Sequence, residues 1–154
     1  MALESVGGRQ TFFGALPSKN KFGAEKHSAG STKEIVIEFS FDDLPAVDAN
    51  NEMLAVIPAS AKVVAADLQV GTAWVGGTNL TVGTSQADGG GVIDADGLHA
   101  AILTAALTAD SNHVGAGADI GEVSSSERQA ITVTTTGTFT AGDAILVVQY
   151  QDKL

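Results

Sequence analysis

The sequence predicts an all-β domain, a jelly roll or β-sandwich of about seven or eight strands, with an extended N-terminal arm and at most one short helix. Three observations carry this. Apolar residues recur at period 2 in several segments; clusters of Gly, Asn, Asp or Pro separate those segments; and no alternation of strand and helix patterns runs through the chain. A length of 154 residues fits one such domain, able to bury its own core.

Residues 1–33 show neither a strand nor a helix period. They mix Gly7, Gly8, Gly14, Gly23 and Gly30 with Pro17, lysines and serines. Alone, such a segment buries too little apolar area to offset its ordering entropy, so it reads as an extended arm in front of a domain spanning 34–154. Its Phe12, Phe13, Leu16 and Phe22 are candidate anchors that order on a partner's groove; the plainer reading is a terminus whose aromatics matter little.

The body starts at Glu34. Ile35, Ile37, Phe39 and Phe41 share one face of a strand, opposite Glu38 and Ser40, and Asp42, Asp43 and Pro45 stop it. Met53 to Ile57 is a second strand, closed by Pro58. From Lys62 to Val70 alternation returns, with Val64, Ala66, Leu68 and Val70 expected on one side. Gly76-Gly77 is a hairpin-type turn between Ala73-Trp74-Val75 and the strand Asn79 to Val82. Residues 87–97 and 110–126, rich in Gly, Asp and Ser, read as loops. Between them Leu98 to Leu107 is the one helix candidate, on its alanine content, although it is short enough to be a buried strand. Ile131 to Thr136 alternates apolar and hydroxyl residues, Ala141-Gly142-Asp143 turns the chain, and Ala144 to Tyr150 is apolar on both sides, as a central strand would be.

Charge is distributed unevenly. Eighteen acidic and eight basic side chains give a net charge of -10. Residues 1–33 carry Arg9, Lys19, Lys21, Lys26 and Lys33 against Glu4 and Glu25, a net of +3, whereas residues 34–154 come to -13. A cationic arm on an anionic body suits contact with an acidic surface, and equally a solvated tail. The body repels phosphate and the arm's bases are spaced rather than clustered, so nucleic acid is not an expected partner. The arm's Phe12 to Leu16 run is far shorter than the ~20 residues a spanning helix needs, so no membrane role is expected and the chain reads as a soluble, unprocessed protein.

Little points to catalysis. The chain contains no cysteine, which excludes disulfides and thiolate metal sites. His99, His113 and Asp96 could ligate zinc only at a spacing that matches no closed pattern. Asp94-Ala95-Asp96-Gly97 begins like a calcium loop, but the twelfth position is Ala105 rather than Glu. His27 reads as solvated. Gly89-Gly90-Gly91 lacks the lysine and hydroxyl of a phosphate loop, and Ser124-Ser125-Ser126 has no nucleophile-elbow context. Paired carboxylates for glycoside hydrolysis would want aromatic platforms, and Trp74 and Tyr150 are the chain's one Trp and one Tyr. No catalytic residue, metal or cofactor is expected, and the chain does not read as an enzyme.

A resemblance narrows the role. Val56-Ile57-Pro58-Ala59 leads into Lys62 to Val70. Thr72-Ala73-Trp74 and Asn79-Leu80-Thr81-Val82-Gly83 follow, and Thr138 to Tyr150 closes the pattern. Over 53–83 and 128–150 this resembles the small jelly-roll decoration, or cement, proteins of tailed bacteriophage heads. The motifs are strand and turn chemistry, and the arm and residues 87–126 have no counterpart. The resemblance implies a homotrimer on the outer surface of the virion capsid that bridges adjacent major capsid subunits. Arg9, Lys19 and Lys21 would then meet acidic groups of the major capsid protein, while Phe12, Phe13, Leu16 and Phe22 fill apolar grooves. A head-fibre base or tail-associated module, and a carbohydrate-binding β-sandwich using Trp74, are the other readings.

Overall fold

The computed structural model describes residues 2–6, 9–13, 25–29, 32–44, 47–87, 90–124 and 126–152. Among them, eight strands build the body: β4 (Thr32–Ser40), β5 (Asn50–Ile57), β6 (Lys62–Val70), β8 (Asn79–Gln86), β9 (Val92–Leu103), β10 (Asn112–Val114), β11 (Gln129–Thr136) and β13 (Asp143–Gln151). They form two antiparallel sheets. One runs β4-β13-β6-β10 and the other β5-β11-β8-β9, so successive strands keep crossing between layers in the interleaved order of a jelly roll. A ribbon of β7 (Val75–Gly76) and β12 (Phe139–Ala141) closes one end. Ahead of the body, β1 (Ala2–Val6), β2 (Arg9–Phe13) and β3 (Glu25–Ala29) lengthen the first sheet to seven strands.

Period 2 explains the core. Ile35, Ile37 and Phe39 of β4 point inward beside Ala144, Leu146, Val148 and Tyr150 of β13, all buried. Met53, Ile57, Leu80, Val82, Leu98, Ile131 and Val133 close on them from the second sheet. Each fully buried branched side chain contributes roughly 1.5–3 kcal/mol over its exposed state. β13 is central, between β4 and β6, which is why its outward Ile145 and Val147 are also half-covered by neighbours. β4 ends one residue early. The Ser40 N–H and hydroxyl both donate to Asp43 Oδ2 at 2.9 Å, bending Phe41 into a 3-10 turn where it is half-buried.

Four sequence expectations change. On β6, Val63 is buried and Val64 is exposed, because a bulge opposite Gln149 and Tyr150 shifts the phase before Ala66, Leu68 and Val70 resume the inward face. Leu98 to Leu107 is not a helix: β9 continues to Leu103 and a 3-10 turn spans Thr104–Ala106. β9 also takes in residues 92–97, which read as loop, and β10 takes Asn112–Val114 out of the second loop. Finally, Gly76 and Gly77 do turn the chain at positive φ, but β7 pairs with β12 rather than forming a hairpin with β8.

The glycines of the remaining loop have a structural purpose. Residues 115–124 strap the sandwich edge, with the N–H groups of Gly117 and Asp119 donating to the carbonyls of Leu98 and Gly97 on β9. Further along, Gly121 donates to the Val63 carbonyl and Ser124 to that of Ala61 at the β6 side. A Cβ on Gly117 would lie 2.2 Å from the Gly97 carbonyl oxygen, so the strap can sit this close only without a side chain.

Candidate functional site

The body's β4 edge is where the sequence-predicted contact residues meet the fold. β3 pairs antiparallel with β4 from Thr32 to Val36, in the register Ala29↔Thr32 to Glu25↔Val36. β2 adds to β3 with Arg9↔His27, and β1 adds to β2 from Val6↔Arg9 to Ala2↔Phe13. Arg9, Phe12 and Phe13 thus lie together on β2. Leu16, Lys19, Lys21 and Phe22 lie outside the described residues. Sequence reading missed the strands of this segment because none shows a period. What holds them is backbone pairing, which leaves no pattern in side-chain type.

The polar residues singled out as ligand candidates are dispersed or inward. His113 sits on β10, its Nε2 3.1 Å from Ser111 Oγ. His99, on β9, is 2% exposed. Desolvation holds its imidazole below the ordinary histidine value, against the opposing hydrogen bond to the Ala66 carbonyl. Its Nε2 is buried without a hydrogen-bond partner. Asp94 holds the Asp96 carboxyl above its ordinary value, first by a side-chain hydrogen bond and then by charge. Asp119, raised by burial, accepts a hydrogen bond from Thr84 Oγ1 at 3.1 Å. Among the described residues, no three His, Asp or Glu side chains are placed to hold a metal ion. The glycine-rich turn after β8 is closed on itself, since Gln86 Oε1 accepts the Gly91 N–H at 3.2 Å.

Trp74 offers no platform. It is 3% exposed, its ring T-shaped against Phe139 at 5.2 Å and tilted against Phe39 at 5.9 Å. The indole Nε1 donates to the Asp143 carbonyl at 3.3 Å. Tyr150 is fully buried.

No family model and no curated protein sequence matches the chain. Solved structures do. A chain of the structure described as "Capsid of Ralstonia phage GP4" superposes with a TM-score of 0.60 at 20% identity, covering 82% of this chain and 88% of that one. A chain of "Cyanophage Pam1 capsid asymmetric unit" gives 0.56 at 16% identity, over 92% of this chain and 94% of that one. At these identities the likeness is one of fold, and it extends over four-fifths or more of each chain.

Proposed function

We propose that this chain is a structural virion protein that decorates a phage capsid. As a homotrimer on the outer surface, it bridges adjacent major capsid subunits through its N-terminal segment. The observation that carries the reading is the near full-length jelly-roll likeness to chains of two phage capsid structures. The sheet gives it a physical basis. The second sheet has four strands, matching β4, β13, β6 and β10, so β1–β3 run on past the sandwich. A strand extension that reaches past the sandwich gains stability from a surface to lie on. Its basic residues favour an acidic one. The carbohydrate reading loses its single sequence feature with the burial of Trp74.

Deleting residues 2–30 tests this. The body should remain folded by circular dichroism while co-sedimentation with capsids is lost. Binding retained at full strength would overturn the arm-mediated mechanism. Phe12→Ala with Phe13→Ala should weaken binding by at least tenfold, as the loss of two aromatic contacts does at interface centres.

A further inference from the structure

A sheet edge can take a further strand where its backbone is regular and its N–H and C=O groups face outward. Four strands stand at the edges of the two large sheets: β1 and β10 of one, β5 and β9 of the other. β9 shifts register three times against β8 and β5 once against β11, and such bulges turn an edge away from a neighbour. β10 is three residues long. β1 keeps an unbroken register against β2 from Ala2↔Phe13 to Val6↔Arg9, and no strand lies beyond it among the described residues.

The outward groups of β1 can be counted across the sheet, because a strand's backbone faces its two neighbours alternately. The Asp143 N–H donates to the Thr72 carbonyl at 3.3 Å, and the Asp143 carbonyl accepts from the Gly71 N–H at 3.1 Å, so Asp143 faces the β6 side. Ala144 therefore faces β4, where it pairs with Phe39. The Phe41 N–H, donating to the Gly142 carbonyl at 3.0 Å, keeps the same alternation. On β4 the residues turned to β3 are then Thr32, Glu34 and Val36, opposite Ala29, His27 and Glu25. Lys26 faces β2 and meets Gln10, which leaves Arg9, Thr11 and Phe13 for β1. Their partners Val6, Glu4 and Ala2 are engaged, and the backbone groups of Leu3 and Ser5 face out of the edge.

We infer that this edge, through Leu3 and Ser5, takes up an extended acidic segment of the major capsid protein as a further strand. The inference rests on the capsid reading above and names the contact by which the N-terminal segment holds its partner. In such an addition the main-chain hydrogen bonds supply the affinity. A second copy is a poor occupant of the same edge. Two β1 strands overlapping in full about a two-fold axis pair Leu3 with Ser5 and set Glu4 opposite Glu4, at a site where facing strands come closest and like charges repel. Shifting one strand by two residues cuts the five-residue overlap to three. Charge selects among other chains: residues 1–33 carry a net of +3, so an acidic strand approaches at lower cost than a basic one.

Hydrogen exchange on the full chain, free and on purified capsids, tests this. The Leu3 and Ser5 amides should exchange without protection in the free protein and at least about tenfold more slowly on the particle. L3P/S5P removes both outward donors and leaves the N–H groups that face β2, a placement proline tolerates at a sheet edge. This variant should keep the wild-type circular dichroism and bind capsids about tenfold more weakly or worse, as the loss of two main-chain hydrogen bonds does. Wild type that binds capsids while Leu3 and Ser5 still exchange freely, or L3P/S5P binding at full strength, would overturn the inference and leave the capsid reading standing. Protection of the two amides that grows with concentration in the free protein would assign the edge to a second copy and overturn it too. A wild type that does not bind capsids would overturn both.

Discussion

Acidification should weaken this fold through His99, and the size of the effect follows from where the ring lies. In the folded chain the imidazole is 2% exposed, donating to the Ala66 carbonyl while its Nε2 has no hydrogen-bond partner, and burial disfavours its charged form. Of the two titratable groups that bear on it, His113 disfavours a second proton and Asp67 favours one, and desolvation outweighs both. In the unfolded chain the ring titrates at its ordinary value of 6.5. The sign is therefore fixed: the unfolded state binds more protons below that value, so stability is constant above it and declines as pH falls beneath it. With the native ring staying neutral, the loss is at most about 1.4 kcal/mol at pH 5.5 and about 2 kcal/mol at pH 5.0. For a chain of this length, the first figure lowers Tm by roughly 3–5 °C. Other groups titrate in the same range, so the quantity to measure is a difference. Urea denaturation of wild type and of His99→Gln at pH 8.0, 6.5 and 5.5 gives it. Wild type should lose stability relative to the variant only in the acidic arm. A difference that stays flat from pH 8.0 to 5.5 would show that the folded ring accepts its proton freely and would refute the reasoning.

Three further outcomes test the packing. Leu146→Ala, at the centre of β13 with no exposed surface, should cost about 2–5 kcal/mol in the same denaturation assay. Gly83→Ala should destabilise by about 1–3 kcal/mol, since its Cβ would lie 2.2 Å from the Asp94 carbonyl oxygen in the bulged part of β9; an unchanged midpoint would mean that the bulge moves freely. Val64→Thr should be neutral within about 0.5 kcal/mol if the β6 bulge holds this side chain in solvent, whereas an inward Val64 would make the change costly.

How much of this the sequence displayed depended on whether a strand keeps its period. β4 does, and Ile35, Ile37 and Phe39 are buried as their alternation indicates; β11 buries Ile131 and Val133 but Thr132 and Thr135 as well, and β13, apolar on both sides, is the central strand that composition implies. β6 keeps it except at Val64, where one extra residue shifts the face. β9 loses it altogether. Its register against β8 shifts between Leu80 and Val82, between Val82 and Thr84, and again at Ser85, so the twelve residues Val92 to Leu103 lie against the seven from Asn79 to Ser85. Spread over those irregularities, the run Leu98 to Leu107 keeps no strand alternation, and its alanines then read as helix. Gly83 belongs to the same event, and its role was invisible because the atoms it must avoid are a strand away. The N-terminal strands left no trace because backbone pairing selects no residue type. That 71–78, 104–111 and 137–142 are tied together shows in no local pattern, and only the fold brings them to one end of the sandwich. The strand order, likewise, comes from pairings between residues a hundred positions apart, such as Asp143↔Ser40.

The two ends of the seven-stranded sheet differ in kind. At one, β10 is three residues long and the chain leaves it at once for the strap, whose glycines seal the corner against β9. At the other, β1 is five residues long and, among the described residues, has no strand beyond it. A sheet with one receptive edge and one stopped edge behaves as a terminator. Strand addition along this sheet is thereby confined to the β1 side, so it cannot run on in both directions as a fibre would require.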